Sequence, residues 1–357
     1  MIQVVFVHII YWMNLFNTGP MPVIKSFALF EMSVLFFVTG AVNSLGKTES
    51  YRTFCVKRLK GLLIPYYVYS ALCVAIVLGQ YLLQKQLTVR LAASVAVSWL
   101  IPLDYQISPF PYLTWAIWFV PVYIVSILLF PAVKRAVSKF GEGTVLLSVL
   151  LFLVVEGLCR LASDSTWIGH IPFDVSSLLS ILQKSAFYLI FLCLGLFYAG
   201  IKSRRREYTV TAGAVLLMCL TGLLLTAVVW HRTLNMQENK FPPNLVFLMY
   251  SFVVLSVIYL AFPVLKKAYL RITHLVPLLD RLVMDFSKYS VYVFLYQSFS
   301  FYLVRKIGGK LNLHRDVLYL VYSVFTLYPL LMLTIRIVSR LQMVRRRGSF
   351  SLRRKSQ

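Results

Sequence analysis

What most constrains this chain is its repeated alternation of long apolar runs with short basic connectors. Ten runs, at roughly residues 2–16, 27–45, 61–83, 116–133, 144–162, 185–201, 208–230, 245–265, 287–304 and 317–338, are candidate bilayer spans; a span needs about 20 apolar residues. Composition agrees: 13% of the 357 residues are charged and 59% hydrophobic, whereas soluble domains carry about 25% charged residues. The 26 Phe and 22 Tyr are too many for a small soluble core, and Tyr suits the membrane–water interface. The expected fold is all-α, a polytopic transmembrane helical bundle of about ten spans over residues 1–338, followed by a basic tail at 339–357. A shorter apolar stretch, LAASVAVSWLI at 91–101, reads as an interfacial or re-entrant helix. No long polar block offers a soluble domain. His8 interrupts the first run and no basic stretch precedes it, so a cleavable signal peptide is not expected.

The net charge of +24 could point to nucleic acid, but its distribution excludes that class. Connectors 46–60, 134–143, 202–207, 266–288 and the tail hold 24 Lys and Arg, while the alternate set holds 10. That asymmetry writes topology by the positive-inside rule and predicts a multi-pass cell-membrane protein with both termini cytoplasmic. The tail MVRRRGSFSLRRKSQ would then lie against anionic lipid or be solvated. Cys55, Cys73, Cys159, Cys193 and Cys219 are scattered, with no metal-ligand spacing, and read as small packing residues. No metal is expected.

Ionisable groups inside spans are costly and ask for a role. His8 lies about 10 Å from Met1 along a helix; a neutral imidazole there can take a proton from a hydroxyl and return one, or simply bond another helix. Glu31, near the outer end of the second run, could orient a partner, bind a donor or simply sit close to the interface. Glu156 and Arg160 have the spacing of an intrahelical pair. The connector HRTLNMQENKFPPN at 231–244 gathers charges before a double proline that forces an extended chain, and could line a cleft. The ninth run carries Ser290, Tyr296, Gln297, Ser298 and Ser300, fit either for a polar cavity or for interhelical bonds. GxSxG, HExxH, Walker and GxGxxG signatures are absent.

Five or six short elements, in order along nearly the whole chain, resemble the membrane acyltransferase-3 family. VVFVH (4–8) is similar to its VVxxH element. FEMSVLFFVTG (30–40) is similar to FxxPLFFFxSG, with Ser33 for Pro and Thr39 for Ser. FCVKRLKGLLIPYY (54–67), AIWFVPVYIVSILLFP (116–131), KFPPNLVFLMYSF (240–252) and YSVYVFLYQ (289–297) follow, the last with Gln297 where His is frequent. The resemblance implies a catalytic role for His8 and an acyl-CoA contact at Lys57, Arg58 and Lys60 on the cytoplasmic side. The family's basic residue upstream of the histidine would fall ahead of Met1, so the start is expected to be too far downstream, or the chain to be a fragment.

The implied activity is O-acylation of a cell-surface or exported carbohydrate, moving acetyl or succinyl from acyl-CoA (acetyl-CoA foremost) with His8 as general base. Glu31, Asn43, Trp118 and Gln297 are candidate cavity-lining residues, and no bound cofactor is expected. Two alternatives stay open: a transporter or flippase for a lipid-linked or acylated glycan, and an inactive truncated relative.

Overall fold

The structure, a computed structural model, describes residues 2–12, 15–46, 49–102, 108–110, 113–115, 117–163, 175–200, 205–310, 320–322, 331–333 and 335–336. In chain order the helices are α1 (Ile2–Trp12), α2 (Met21–Ser26), α3 (Glu31–Ser44), α4 (Tyr51–Leu83) and α5 (Val89–Leu100). They continue with α6 (Phe119–Phe140), α7 (Glu142–Ser163), α8 (Val175–Gly200), α9 (Arg205–Val228) and α10 (Met236–Lys240). The last three are α11 (Leu245–Leu275), α12 (Pro277–Lys288) and α13 (Ser290–Lys310). Among the described residues there is no strand, and seven helical segments are long and apolar enough to cross a membrane. The all-α polytopic bundle is therefore the fold.

Several spans differ in detail from the hydropathy reading. The second run is α2 and α3, joined by a turn, and together their 24 residues are long and apolar enough for one crossing. α1 is an 11-residue helix, shorter than the run that contains it. α4 has 33 residues, about 50 Å at 1.5 Å each, against a hydrocarbon core of about 30 Å. Its start, capped by Ser50, therefore extends past the apolar layer and carries Lys57, Arg58 and Lys60. Only short helical pieces of the tenth run, 317–338, are described; the tail 339–357 lies outside the described residues. The short stretch 91–101 falls on α5, which folds back on α4: Trp99 is buried and its carbonyl accepts from the Tyr66 hydroxyl at 2.9 Å.

α8 is the central helix, buried along most of its length. Hydrocarbon supplies no hydrophobic drive between helices, so close backbone approach has to come from small residues. Gly40 and Gly195 provide it where α3 crosses α8. A Cβ on Gly195 would strike the Phe37 carbonyl oxygen, and one on Gly40 the Leu192 carbonyl oxygen. Nearby, Ser33 donates to Ser251 of α11 at 3.0 Å, so the position where the family pattern has Pro holds a buried interhelical bond. The five cysteines are buried thiols, and Glu156 and Arg160 form the expected pair on α7.

Candidate active site

His8 is half-buried on the face of α1 that meets α13 and stacks on Trp12 one turn later, with ring centroids 4.3 Å apart and planes within 10°. Its Nδ1 lies 3.0 Å from Oε1 of Gln297, a fully buried residue (0% exposed). The hydrogen bonds fix the tautomer. Gln297 Nε2 donates to the Phe294 carbonyl at 2.9 Å, and a backbone carbonyl only accepts, which settles the amide orientation. Oε1 then faces His8 and only accepts, so Nδ1 must carry the proton. In the neutral ring Nε2 then keeps its lone pair, the form a general base requires.

Beside this imidazole stands a buried ion pair. Lys240 (2% exposed) reaches in from α10 to Glu31 Oε1 (Glu31 is 6% exposed) at the start of α3. Both charges lie within electrostatic reach of His8. The 231–244 connector is thus a folded plug as well as a stiff loop. Asn235 caps α10, Met236 is buried, and its N–H donates to Ser26 Oγ at 2.9 Å. Asn244, after the double proline, caps α11 by accepting from Phe247 N–H at 3.1 Å.

Trp118 flanks the same end. Its ring stacks on Tyr188 of α8 (5.8 Å) and meets Phe241 edge-on (5.4 Å), while the Lys184 ammonium lies 5.5 Å above it. Hydropathy and spacing gave no sign of Lys184, of Tyr11, or of Lys240 as the partner of Glu31. Only charge inside or bordering an apolar run, the same cue that picked out His8, could have raised the two lysines.

Arg58 belongs to a different place. A cleft of about 490 Å³ is lined by Asn43, Glu49, Lys57, Arg58, Lys134 and Arg135, with Phe54 and Phe130 among its apolar walls. Lys57 pairs with Glu49 at 2.8 Å and holds that carboxyl below the usual range, while Arg58 donates to Asn43. Asn43 is therefore beside the basic cluster and not beside His8. Lys60 is exposed and does not line the cleft. Asn43 and Glu31 are twelve residues apart on α3, about 18 Å along the axis. A file of rings joins the two regions: Tyr123, within the field of Arg58, stacks on Phe119 at 5.1 Å; Phe119 meets Phe294 at 4.8 Å; Phe294 flanks His8 at 6.4 Å. Among the described residues no three His, Cys, Asp or Glu side chains come together as a metal site.

A helical bundle of membrane-crossing length, with a polar histidine cluster toward one end of α3 and a basic cleft at the other, defines a polytopic membrane protein. The profile of the acyltransferase-3 family, an acyltransferase domain, matches residues 1–338. The chain belongs to that family and is a membrane acyltransferase. No match was found among curated proteins or solved structures.

Proposed function

We propose that this protein moves an acetyl or succinyl group from acyl-CoA to a hydroxyl of a cell-surface or exported carbohydrate, with His8 as general base. The observation that carries the reading is the Gln297–His8 bond, which holds Nδ1 protonated and leaves Nε2 as acceptor. The acceptor hydroxyl gives its proton to Nε2 as its oxygen attacks the thioester carbonyl. The carbon–sulfur bond then breaks, and the departing thiolate takes the proton back from the imidazolium. The products are the sugar ester and free CoA.

The donor's phosphates match the cations of the cleft at Lys57, Arg58, Lys134 and Arg135. Lys60 would add to the local field from outside the lining. By the Lys and Arg asymmetry this cleft faces the cytoplasm, where acyl-CoA is, and both termini are on that side with the basic tail near the lipid surface. The ring file between Tyr123 and His8 is an apolar route for the acyl arm.

The test is a His8→Ala replacement at the native locus, with surface polysaccharide analysed by mass spectrometry. The expected result is loss of the acyl mass with glycan chain length intact; in vitro, transfer should fall by on the order of 10²–10⁴. Full acylation by the variant would sink the role of His8. Loss of the exported glycan itself would point to transport instead.

A further inference from the structure

Two polar atoms at the His8 end are buried and meet no hydrogen-bond partner among the described residues: Glu31 Oε2 and the Tyr11 hydroxyl. Lys240 satisfies Oε1 only. A carboxylate oxygen and a phenol held out of water normally find partners, because leaving them unmet is expensive. They come from different elements that pack together: α1 lies against α3, and Gln3 Nε2 on α1 donates to the Ala28 carbonyl just ahead of α3 at 2.8 Å. One is an acceptor. The other can donate or accept. Together they match a hydroxyl-bearing ligand, which needs an acceptor for its proton and a donor for its oxygen.

The neighbouring surface fits the same class. Phe241, the residue after Lys240, is 39% exposed and meets half-buried Trp118 edge-on at 5.4 Å. The Lys240 ammonium lies 5.4 Å from the Phe241 ring centroid. A partly exposed aromatic pair beside buried, unmet polar atoms is how a protein takes hold of a molecule that is apolar on its ring faces and polar at its rim.

We propose that Glu31 Oε2 and the Tyr11 hydroxyl form the acceptor subsite, binding sugar hydroxyls next to the one that reacts at His8, with Trp118 and Phe241 as its aromatic wall. Lys240 pairs with Oε1 and so fixes the direction of the Glu31 carboxylate; Glu31 binds and orients the acceptor while His8 takes the proton. The proposal rests on the acyl-transfer reading above and adds which chain atoms recognise the acceptor.

The test uses the full chain in lipid nanodiscs and, as probe, oligosaccharides from the producing cell's surface polysaccharide, stripped of esters by mild base. Binding is followed by saturation-transfer NMR without donor, and transfer by acceptor and donor kinetics with acetyl-CoA. Tyr11→Phe removes a hydroxyl that no described residue uses, so the fold should be untouched. Acceptor KM should rise on the order of tenfold, with the donor KM unchanged. Glu31→Gln, placed in a Lys240→Met background so that no buried charge is stranded, should raise it further. If wild type transfers and both variants keep the wild-type acceptor KM, the two atoms hold water only and the subsite is overturned. If wild type binds the glycan, with Tyr11→Phe weakening it, but never transfers, the subsite stands and the acyl-transfer reading falls. If wild type neither binds nor transfers, both are overturned.

Discussion

The two charged regions of this protein differ in solvent more than in chemistry. At one end of α3, Lys240 and Glu31 are 2% and 6% exposed and paired. At the other, Lys57 and Glu49 make a 2.8 Å pair whose side chains are 65% and 31% exposed. A buried pair is held by geometry, because neither charge can be left alone; a solvated one is held by little and screened by salt. The first is suited to fixing a rigid site, the second to attracting a charged, mobile ligand.

Breaking the buried pair gives the largest effect on stability. Lys240→Met leaves Glu31 as a charge without its partner and should cost about 3–5 kcal/mol, read as a fall in the thermal unfolding midpoint in detergent. Adding Glu31→Leu should restore most of that loss, since no charge then remains buried. If the single variant unfolds at the wild-type temperature, water reaches Glu31 and the contrast between the two ends fails.

Next is the glycine seam that holds α3, the helix that carries a residue of each region, against α8. Gly195→Ala forces a methyl against the Phe37 carbonyl. Overpacking of this kind costs about 1–3 kcal/mol. The same measurement checks it, and Gly157→Ala serves as control because nothing lies within 4 Å of a Cβ there.

How much of this was legible in the sequence follows from range. Helical spans depend on local apolar content, so the all-α bundle could be read directly. His8 and Arg58 stand inside motifs that resemble the family, and Gln297 was visible as a polar residue in an apolar run. The partnerships were not. His8 and Gln297 are 289 residues apart, and Glu31 and Lys240 are 209 apart. Charge in the connector gave no hint that Lys240 turns inward, because an amphipathic connector can lie on the surface or fold into the bundle. Glu31 therefore read equally as a cavity-lining acid and as one near the interface, with no partner named. Asn43 read as a cavity residue for the opposite reason: its helix reaches His8 at one end and Arg58 at the other, and residue type does not say which end matters.

Orientation of the base is tested by Gln297→Leu. The ring loses its only partner on Nδ1 among the described residues and the tautomer is no longer selected. Transfer should drop by on the order of 10 to 10², with the donor KM unchanged. Gln297→His, which can present a lone pair to Nδ1, should recover much of it. An equal loss in both variants would mean that Gln297 matters for packing and not for the proton.

The smallest expected effect sharpens the contrast from the solvated side. Glu49 lines the basic cleft, and Lys57 beside it lowers its carboxyl from the ordinary value. A depressed acid is charged at every pH above that lowered value, and its pairing is lost only as pH falls through it. Near neutral pH Glu49 therefore offsets one of the four cations that line the cleft. Glu49→Gln should lower the acetyl-CoA KM about twofold at low ionic strength. The gain should vanish in high salt, and again at acid pH, where the wild-type carboxyl is protonated too. It should leave the unfolding midpoint where it was, in contrast to Lys240→Met at the other end of α3. If Glu49→Gln raises the donor KM instead, the pair positions Lys57 by geometry, and the two ends of the helix work by the same principle after all.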